Sequence, residues 1–500
     1  MAAYLLAHDL GTSGDKATLF TAEGKIVGNV TVPYPLYAED KQAEQDADDW
    51  WNAVCTGTKA LLEKNGVQGD EVLAVSFSGQ MMGCLPVDGN GRPLRRALIW
   101  ADRRADEQSF RLREKLDDDR FYSITCHRNI PSYGIQKAMW IKEHEPDIYE
   151  NTYKFLNAKD YIVLHLTGKF CTDVSDANGM DCLDLKKLNW SEEILSASGI
   201  SPDKLPQVLP STALVGCVTG QAALETGLSE NTRVVMGAGD GVAANVGAGS
   251  VAPGKVYCCL GTSAWVAGTS EKPLFDPERR VVCWAHAVPG MYSPNATMQY
   301  AGGCYSWLKS TVCTAEILEA EKKGISPYEL MNDEILAAEP GAGGLVFLPH
   351  LMGERAPRWN NDAKGVLFGL RGDTVRGQIL RSVVEGVCVN LGLCFDILKE
   401  ELHPDYLTLI GGAARSAVWR DTLADVTGVT VQVPDMLEEA NSLGAAVIAG
   451  VGCGLYKGFD AVEKFMKINN RVESRKEYAQ VYLELKQKTN RLYEALAPLF

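Results

Sequence analysis

Tyr4-Leu-Leu-Ala-His-Asp-Leu-Gly-Thr-Ser-Gly-Asp-Lys16 runs a short apolar strand into a turn that carries a carboxylate, Asp9, two glycines, Gly11 and Gly14, and two hydroxyls, Thr12 and Ser13. Beyond it Ala17-Thr-Leu-Phe20 is strand-like, Glu23-Gly24 turns the chain again and Ile26-Val27 resumes, which predicts a meander of antiparallel strands. From Asp48 the apolar spacing becomes helical through Trp51, Val54, Leu61 and Leu62, with Asp46 or Asp48 as the cap and Gly66 as the stop; a strand follows from Val72. Half a chain later Lys255-Val-Tyr-Cys-Cys259 is another apolar strand, and it too ends in Leu-Gly-Thr-Ser, residues 260–263, before a second strand-like run. Four residues are a small repeat, but both copies sit in the same setting, and we read two related halves. The segment Gly247-Ala-Gly-Ser-Val-Ala-Pro-Gly254 is placed between them, giving domains of residues 1–248 and 249–500. Strands alternate with helices to the end, which argues for an α/β layered architecture. The segment from Glu473 to Leu496 has near-helical apolar spacing and is expected to dock on the core as a helix.

Five hundred residues allow two or three domains, and 46% hydrophobic with 23% charged residues is an ordinary globular composition. The net charge of −15 speaks against a nucleic-acid partner or an anionic membrane, so any phosphate ligand needs a local site with a metal. The stretch Met1 to Asp9 lacks the basic region of a signal peptide, and the run Leu443 to Tyr456 is too short and glycine-broken to span a bilayer. The fourteen cysteines include no C-x-x-C pair and are read as reduced residues of a cytoplasmic protein, in which the Asn29, Asn189 and Asn295 glycosylation patterns are chance matches.

In the first turn, glycine lets a backbone approach an anion closely, turn N–H groups form a cradle, and the hydroxyls add donors. Asp9 would repel a bare phosphate, so the arrangement makes sense as a ligand site when a cation such as magnesium stands between them. A plain hairpin with an Asx turn has the same composition. The second Leu-Gly-Thr-Ser turn tilts the balance, because two such turns facing across a cleft can hold successive phosphates of one nucleotide. A third cluster, Gly237-Ala-Gly-Asp-Gly241, leaves Asp240 open at a strand-to-helix junction as a general base, or equally as a helix N-cap. In Leu407-Thr-Leu-Ile-Gly-Gly-Ala-Ala-Arg-Ser416 the backbone would pass beneath a flat base or ribose, or simply turn into a helix. Gly249 to Lys255 imitates a P-loop, but Val256 replaces the magnesium-binding hydroxyl and Pro253 removes a donor. No His/Cys grouping has zinc spacing. The G-x-G-x-x-G spacing of a dinucleotide fold is absent around Gly237.

Taken together, Asp9-x-Gly-Thr-x-x-x-Lys16, Gly79-Gln-Met81, Trp100-x-Asp-x-Arg104, Gly239-Asp240, Leu260-Gly-Thr-Ser263, Gly353-Glu-Arg355 and Gly411-Gly-Ala-Ala-Arg-Ser416 resemble the FGGY carbohydrate kinase family, nearest its xylulose kinases. Gly365-x-Leu-x-Gly-Leu370, followed after seven residues by Gln378-Ile-x-x-Ser-Val-Val-Glu385, fits the same family's long signature. The resemblance covers nearly the whole chain. It implies a two-domain ribonuclease H-like, actin-like ATPase fold with ATP and Mg2+ in the interdomain cleft. Asp240 would then be the catalytic base and Asp9 the metal residue. Gly11, Thr12, Ser13 and Lys16 would lie by the transferring phosphate. Gly261 and Thr262 would hold the nucleotide phosphates, with Gly302 and Ser306 nearby and Gly412, Ala413 and Ser416 at the adenosine. Gln80, Met81, Met82, Trp100, Asp102 and Gly241 would meet the sugar. A homodimer is implied by the resemblance alone.

Two departures bear on the substrate. Xylulose kinases usually place a histidine where Met82 stands and an asparagine where Gly241 stands, so two hydrogen-bonding groups are missing from a pocket meant to read hydroxyls. Lys137-x-x-Trp140 fits a shorter signature, with Gly134 in place of the usual Pro, Ser or Thr. The expected activity is phosphorylation of D-xylulose to D-xylulose 5-phosphate. Alternatives are another ketopentose or polyol (ribulose, L-xylulose, erythrulose, glycerol), or an actin-like ATPase that no longer transfers to a sugar.

Overall fold

β1 (Tyr4–Leu10), β2 (Gly14–Thr21) and β3 (Ile26–Pro33) form the expected antiparallel meander in a computed structural model that describes residues 3–500. α1 (Ala47–Asn65) starts at Asp46, whose carboxylate accepts from the Asp48 N–H, and stops at Gly66 in the left-handed conformation. β4 (Val72–Gly79), buried at nearly every residue, returns parallel to β1. A helix-rich insertion follows, including α2 (Gly134–His144) and α3 (Ala158–Thr167). The glycine that opens α2 is a packing requirement, since a Cβ at Gly134 would lie 2.4 Å from the Met180 sulfur. The half closes with β5 (Leu214–Cys217), β6 (Arg233–Val235), the short β7 (Ala238–Gly239) and α4 (Asp240–Gly247).

The second half opens with β8 (Val256–Leu260), β9 (Ala264–Gly268), β10 (Val282–Ala285) and β11 (Tyr292–Met298). It continues through α5 (Gly302–Thr311), α6 (Pro327–Ala337), the long α7 (Arg376–Leu402), β12 (Tyr406–Ile410), α8 (Ala417–Thr427) and β13 (Thr430–Pro434). α9 (Ala440–Gly452), β14 (Ile468–Val472) and α10 (Ala479–Leu496) complete it, and Tyr482 and Leu485 of α10 enter the second core as the sequence predicts.

The sheets carry the duplication. In the first, β3-β2-β1-β4-β6-β5 are joined antiparallel, antiparallel, parallel, parallel and antiparallel; in the second, β11-β9-β8-β12-β13-β14 follow the same pattern, with β10 added at the edge. This is the two-domain α/β arrangement of the ribonuclease H-like, actin-like fold, and the two Leu-Gly-Thr-Ser turns are its equivalent first hairpins.

The halves meet through α4 and α9, which occupy equivalent places after β7 and β13. They cross at backbone contact: a Cβ at Gly247 would lie 1.8 Å from the Ala440 carbonyl oxygen, and one at Gly444 would lie 1.9 Å from that of Ala243. Leu443, Val447 and Ile448 of α9, with Tyr456, Phe459 and Phe465 after it, share one core with Leu5, Ala7, Phe20 and Ala74 of the first sheet. Residues late in the chain thus finish the core of its beginning. Among the described residues no helix is long and apolar enough to cross a membrane.

Candidate active site

Two cavities open on either side of the second Leu-Gly-Thr-Ser turn. Gly261 and Thr262 line one, of about 680 Å³, and Ser263 lines the other, of about 220 Å³. The larger also gathers Gly302, Ser306, Gly412, Ala413 and Ser416, so all seven residues assigned to the nucleotide in the second half share one space. Its floor is backbone on backbone. The Gly302 N–H donates to the Gly261 carbonyl (3.0 Å), and a Cβ at Gly302 would lie 2.4 Å from that oxygen. Gly411, at φ +91°, leaves room for Leu260 in the same way, a Cβ there lying 2.7 Å from the Leu260 oxygen. Tyr328 of α6 stacks on Tyr305 (centroids 5.1 Å apart), and Trp419 meets Tyr305 edge-on. Sequence reasoning missed this aromatic wall because its members stand on three separate helices with no shared motif.

The smaller cavity lies in the cleft between the halves. Met81, Met82, Trp100, Asp240 and Gly241 face it from the first half; Ser263, Trp265, Trp284, Asn295, Arg355 and Trp359 face it from the second, with Tyr133 from the start of α2. Two residues assigned to the sugar stand back from it. Gln80 is buried and donates to Gln45 Oε1 (2.6 Å). Asp102 is fully buried, accepts from the Ala43 N–H (2.8 Å) and pairs with Arg104 (2.7 Å), so it braces the loop that carries Trp100. A buried carboxylate needs such partners, and taking them turns it away from the cavity.

The first turn differs in detail from expectation. The N–H of Gly11 is spent inside the turn on the Gly14 carbonyl (3.0 Å), as that of Gly261 is on Ser263 (3.0 Å). The glycines close the turns, and the backbone donors left without partners among the described residues of the turns include those of Thr12, Ser13, Thr262 and Ser263. The Thr12 hydroxyl accepts from Trp100 Nε1 (2.8 Å), tying the first Gly-Thr-Ser turn to the smaller cavity. Lys16 reaches across to Glu439 (2.8 Å), just before α9.

Asp9 Oδ1 accepts from Ser78 Oγ (2.7 Å) and from Asn441 Nδ2 (3.2 Å) of the other half. Oδ2 has no partner among the described residues, and burial raises the pKa of the group. Among those residues no set of three or more His, Cys, Asp or Glu side chains forms a metal cage. A carboxylate with one oxygen free, next to turns with free N–H donors, fits a hard cation whose remaining ligands are phosphate oxygens and water.

Asp240 is the first residue of α4 rather than its cap; Gly239 is the cap, and the Gly241 N–H donates to Asp240 Oδ1 (2.7 Å). Burial first, and repulsion from Asp9 second, push its pKa up to about 7. The strand before it is held from beneath. The Gly239 N–H donates to Ser175 Oγ (2.9 Å), which donates to Asp173 (2.6 Å), itself paired with the fully buried Lys159 (3.0 Å). A carboxyl pushed up to near neutrality, lining an aromatic-rich cavity, is suited to take a proton from a hydroxyl.

A larger and a smaller cavity on either side of one Gly-Thr-Ser turn, the smaller lined by a carboxylate, in a duplicated α/β cleft, fit a phosphotransferase. The chain belongs to the FGGY family of carbohydrate kinases: the N-terminal-domain model of that family matches residues 4–247 and its C-terminal-domain model residues 256–453. It is 32% identical to a gluconokinase of Bacillus licheniformis, over 97% of this chain and 94% of that protein. It is also 32% identical to the xylulose kinase of Escherichia coli K12, over 98% of this chain and 99% of that one. The crystal structure of ligand-bound xylulose kinase from Lactobacillus acidophilus superposes with a TM-score of 0.92 at 26% identity, covering 99% of this chain and 98% of that one.

Proposed function

We propose that this carbohydrate kinase transfers the γ-phosphate of ATP to a terminal hydroxyl of an open-chain sugar, and that D-xylulose, yielding D-xylulose 5-phosphate, is its first candidate substrate. The observation that carries the reading is Asp240, which lines the small cavity together with Ser263 of the turn that divides it from the large one. With ATP in the large cavity and sugar in the small one, Asp240 accepts the hydroxyl proton as the oxygen attacks. The N–H groups of Thr12, Ser13 and Thr262 receive the phosphate oxygens. Mg2+ held by the free oxygen of Asp9 would supply charge neutralisation at the phosphates. Phosphoryl transfer asks for alignment and neutralisation more than for a strong base, so an ordinary Asp suffices. Closure of the halves about α4 and α9 would exclude water and suppress wasteful hydrolysis.

One observation favours a second substrate class. Arg355 lines the small cavity, and its guanidinium has no hydrogen bond or carboxylate partner among the described residues. Burial lowers its pKa without neutralising it. The carboxylate of an aldonic acid such as gluconate would complete that guanidinium with a bidentate pair. ADP release measured with ATP and magnesium decides between the two. The panel is D-xylulose, ribulose, L-xylulose, erythrulose, glycerol, gluconate and a blank without sugar. Strongest release with D-xylulose is expected. Strongest release with gluconate moves the assignment to the aldonate, and equal release in the blank refutes a sugar kinase.

The large cavity has its own test. Gly302→Ala is expected to weaken nucleotide binding at least about tenfold, because the added methyl meets the Gly261 oxygen at 2.4 Å and displaces the turn. Titration calorimetry with ADP reads this directly, and an unchanged Kd would place the nucleotide elsewhere.

A further inference from the structure

Lys137 leaves α2 for the interior and is fully buried. Its ammonium donates to the carbonyls of Met82 (2.8 Å), Ile99 (2.7 Å) and Ser132 (2.5 Å). No carboxylate lies within ion-pair distance of it among the described residues; Asp102, whose charge acts on it, is committed to Arg104. The three carbonyls belong to three separate stretches of chain, and each stretch builds a wall of the small cavity: Met82 itself, Trp100 directly after Ile99, and Ser132 with Tyr133. Met82 stands at φ +62°, a conformation that costs a side-chain-bearing residue energy and persists where its surroundings hold it. Trp100 reaches on to the Thr12 hydroxyl, so the assembly extends to the phosphate turn.

A buried ammonium without a counter-charge is costly, and an unbranched apolar side chain would fill much the same space without that cost. Packing therefore does not call for lysine here. What lysine supplies is three donors at one point, which is the number of carbonyls that converge there. We propose that Lys137 is a positioning residue for the sugar: by drawing the Met82, Ile99 and Ser132 carbonyls together, it sets the spacing of the Met82, Trp100 and Tyr133 walls and so governs sugar affinity while touching neither substrate. The proposal rests on the small cavity being the sugar site.

Protonation gives the device a signature. The charged amine satisfies all three carbonyls; the neutral amine has two N–H bonds and turns a lone pair towards the third. Burial pushes Lys137 down to about 7, Arg104 adds to the push, and Asp102 and the Cys84 thiol oppose it. Tyr133, at the start of the same helix, is kept neutral by its burial. Sugar KM should therefore rise with pH above neutrality, whereas the Asp240 limb acts on kcat and on the acid side.

The test uses the full chain with the sugar that gives the strongest ADP release, and follows sugar KM, kcat and the Kd of ADP from pH 6 to 9. For the unmodified protein a several-fold rise in sugar KM between pH 6.5 and 8.5 is expected, with the ADP Kd flat. Lys137→Met should raise sugar KM at least tenfold at pH 6.5, leave the ADP Kd within twofold, and remove the alkaline rise. A Lys137→Met protein with normal sugar KM overturns the proposal, as does one whose sugar KM and ADP Kd deteriorate together. Should that variant fail to fold, the profile of the unmodified protein decides alone, and a sugar KM flat across the range overturns the role. Absence of any sugar-dependent release refutes the kinase reading instead, which keeps the two failures distinct.

Discussion

Asp240→Ala is expected to lower kcat by about 10²–10⁴-fold, the usual contribution of a positioned general base, while the ADP Kd stays within twofold. The separation follows from geometry: Asp240 lines the small cavity and the nucleotide-assigned residues of the second half line the large one. Steady-state rates with a binding titration check it, and near-normal turnover would remove Asp240 from the base role. The same group shapes the pH profile. Its carboxyl must be ionised to accept a proton and is pushed up to about 7, so kcat should fall roughly tenfold per unit as pH drops below that value. Stability carries the opposite sign. A carboxyl whose folded pKa exceeds its unfolded value of 3.8 favours the folded state least when both forms are ionised, that is, above about pH 7. Asp240→Asn should therefore raise the melting temperature most at pH 8, with the gain shrinking as pH falls towards 4. Activity and stability are opposed at this residue.

Gly444→Val is expected to destabilise the protein by more than about 4 kcal/mol, or to prevent soluble accumulation, because the side chain has nowhere to go. A bare Cβ at this position would already lie 1.9 Å from the Ala243 carbonyl oxygen, which is backbone and cannot swing aside. The milder Gly444→Ala should cost about 1–3 kcal/mol by forcing α4 and α9 apart. Gly247→Ala tests the same crossing from the other helix, where the obstructing atom is the Ala440 oxygen at 1.8 Å. The damage should reach the chemistry, since α9 carries Asn441, whose amide holds Asp9. Denaturant unfolding of Gly444→Ala and Gly247→Ala measures the effect, and unchanged midpoints would mean that the helices part without cost.

The hairpins at Gly11 and Gly261 were legible because a strand ending in Gly-Thr-Ser is a local event. Alternation, turn residues and glycine act within a few positions of one another. The helix start at Asp46 and its stop at Gly66 were legible for the same reason. The N-cap alternative for Asp240 was open on sequence and is closed by structure, because Gly239 takes the cap and Asp240 turns to the cavity. Asp102 shows the reverse. The family resemblance implied a sugar contact for it, and nothing in the sequence says that Arg104 and the Ala43 N–H will claim it first.

Short contiguous motifs were enough to read the family, the duplicated α/β plan and the two Leu-Gly-Thr-Ser turns from the chain itself. What the tertiary structure alone decided is which side chains share a space and what charge they keep there. Tyr133, Trp284, Arg355 and Trp359 meet Met82 and Asp240 from both halves of the chain, Lys137 gathers three remote carbonyls, and residues 443–465 finish a core begun at Leu5. The physical reason is that burial and electrostatics depend on distance in space. The raised pKa of Asp240 arises from desolvation and from Asp9, a residue more than two hundred positions away that only folding brings near.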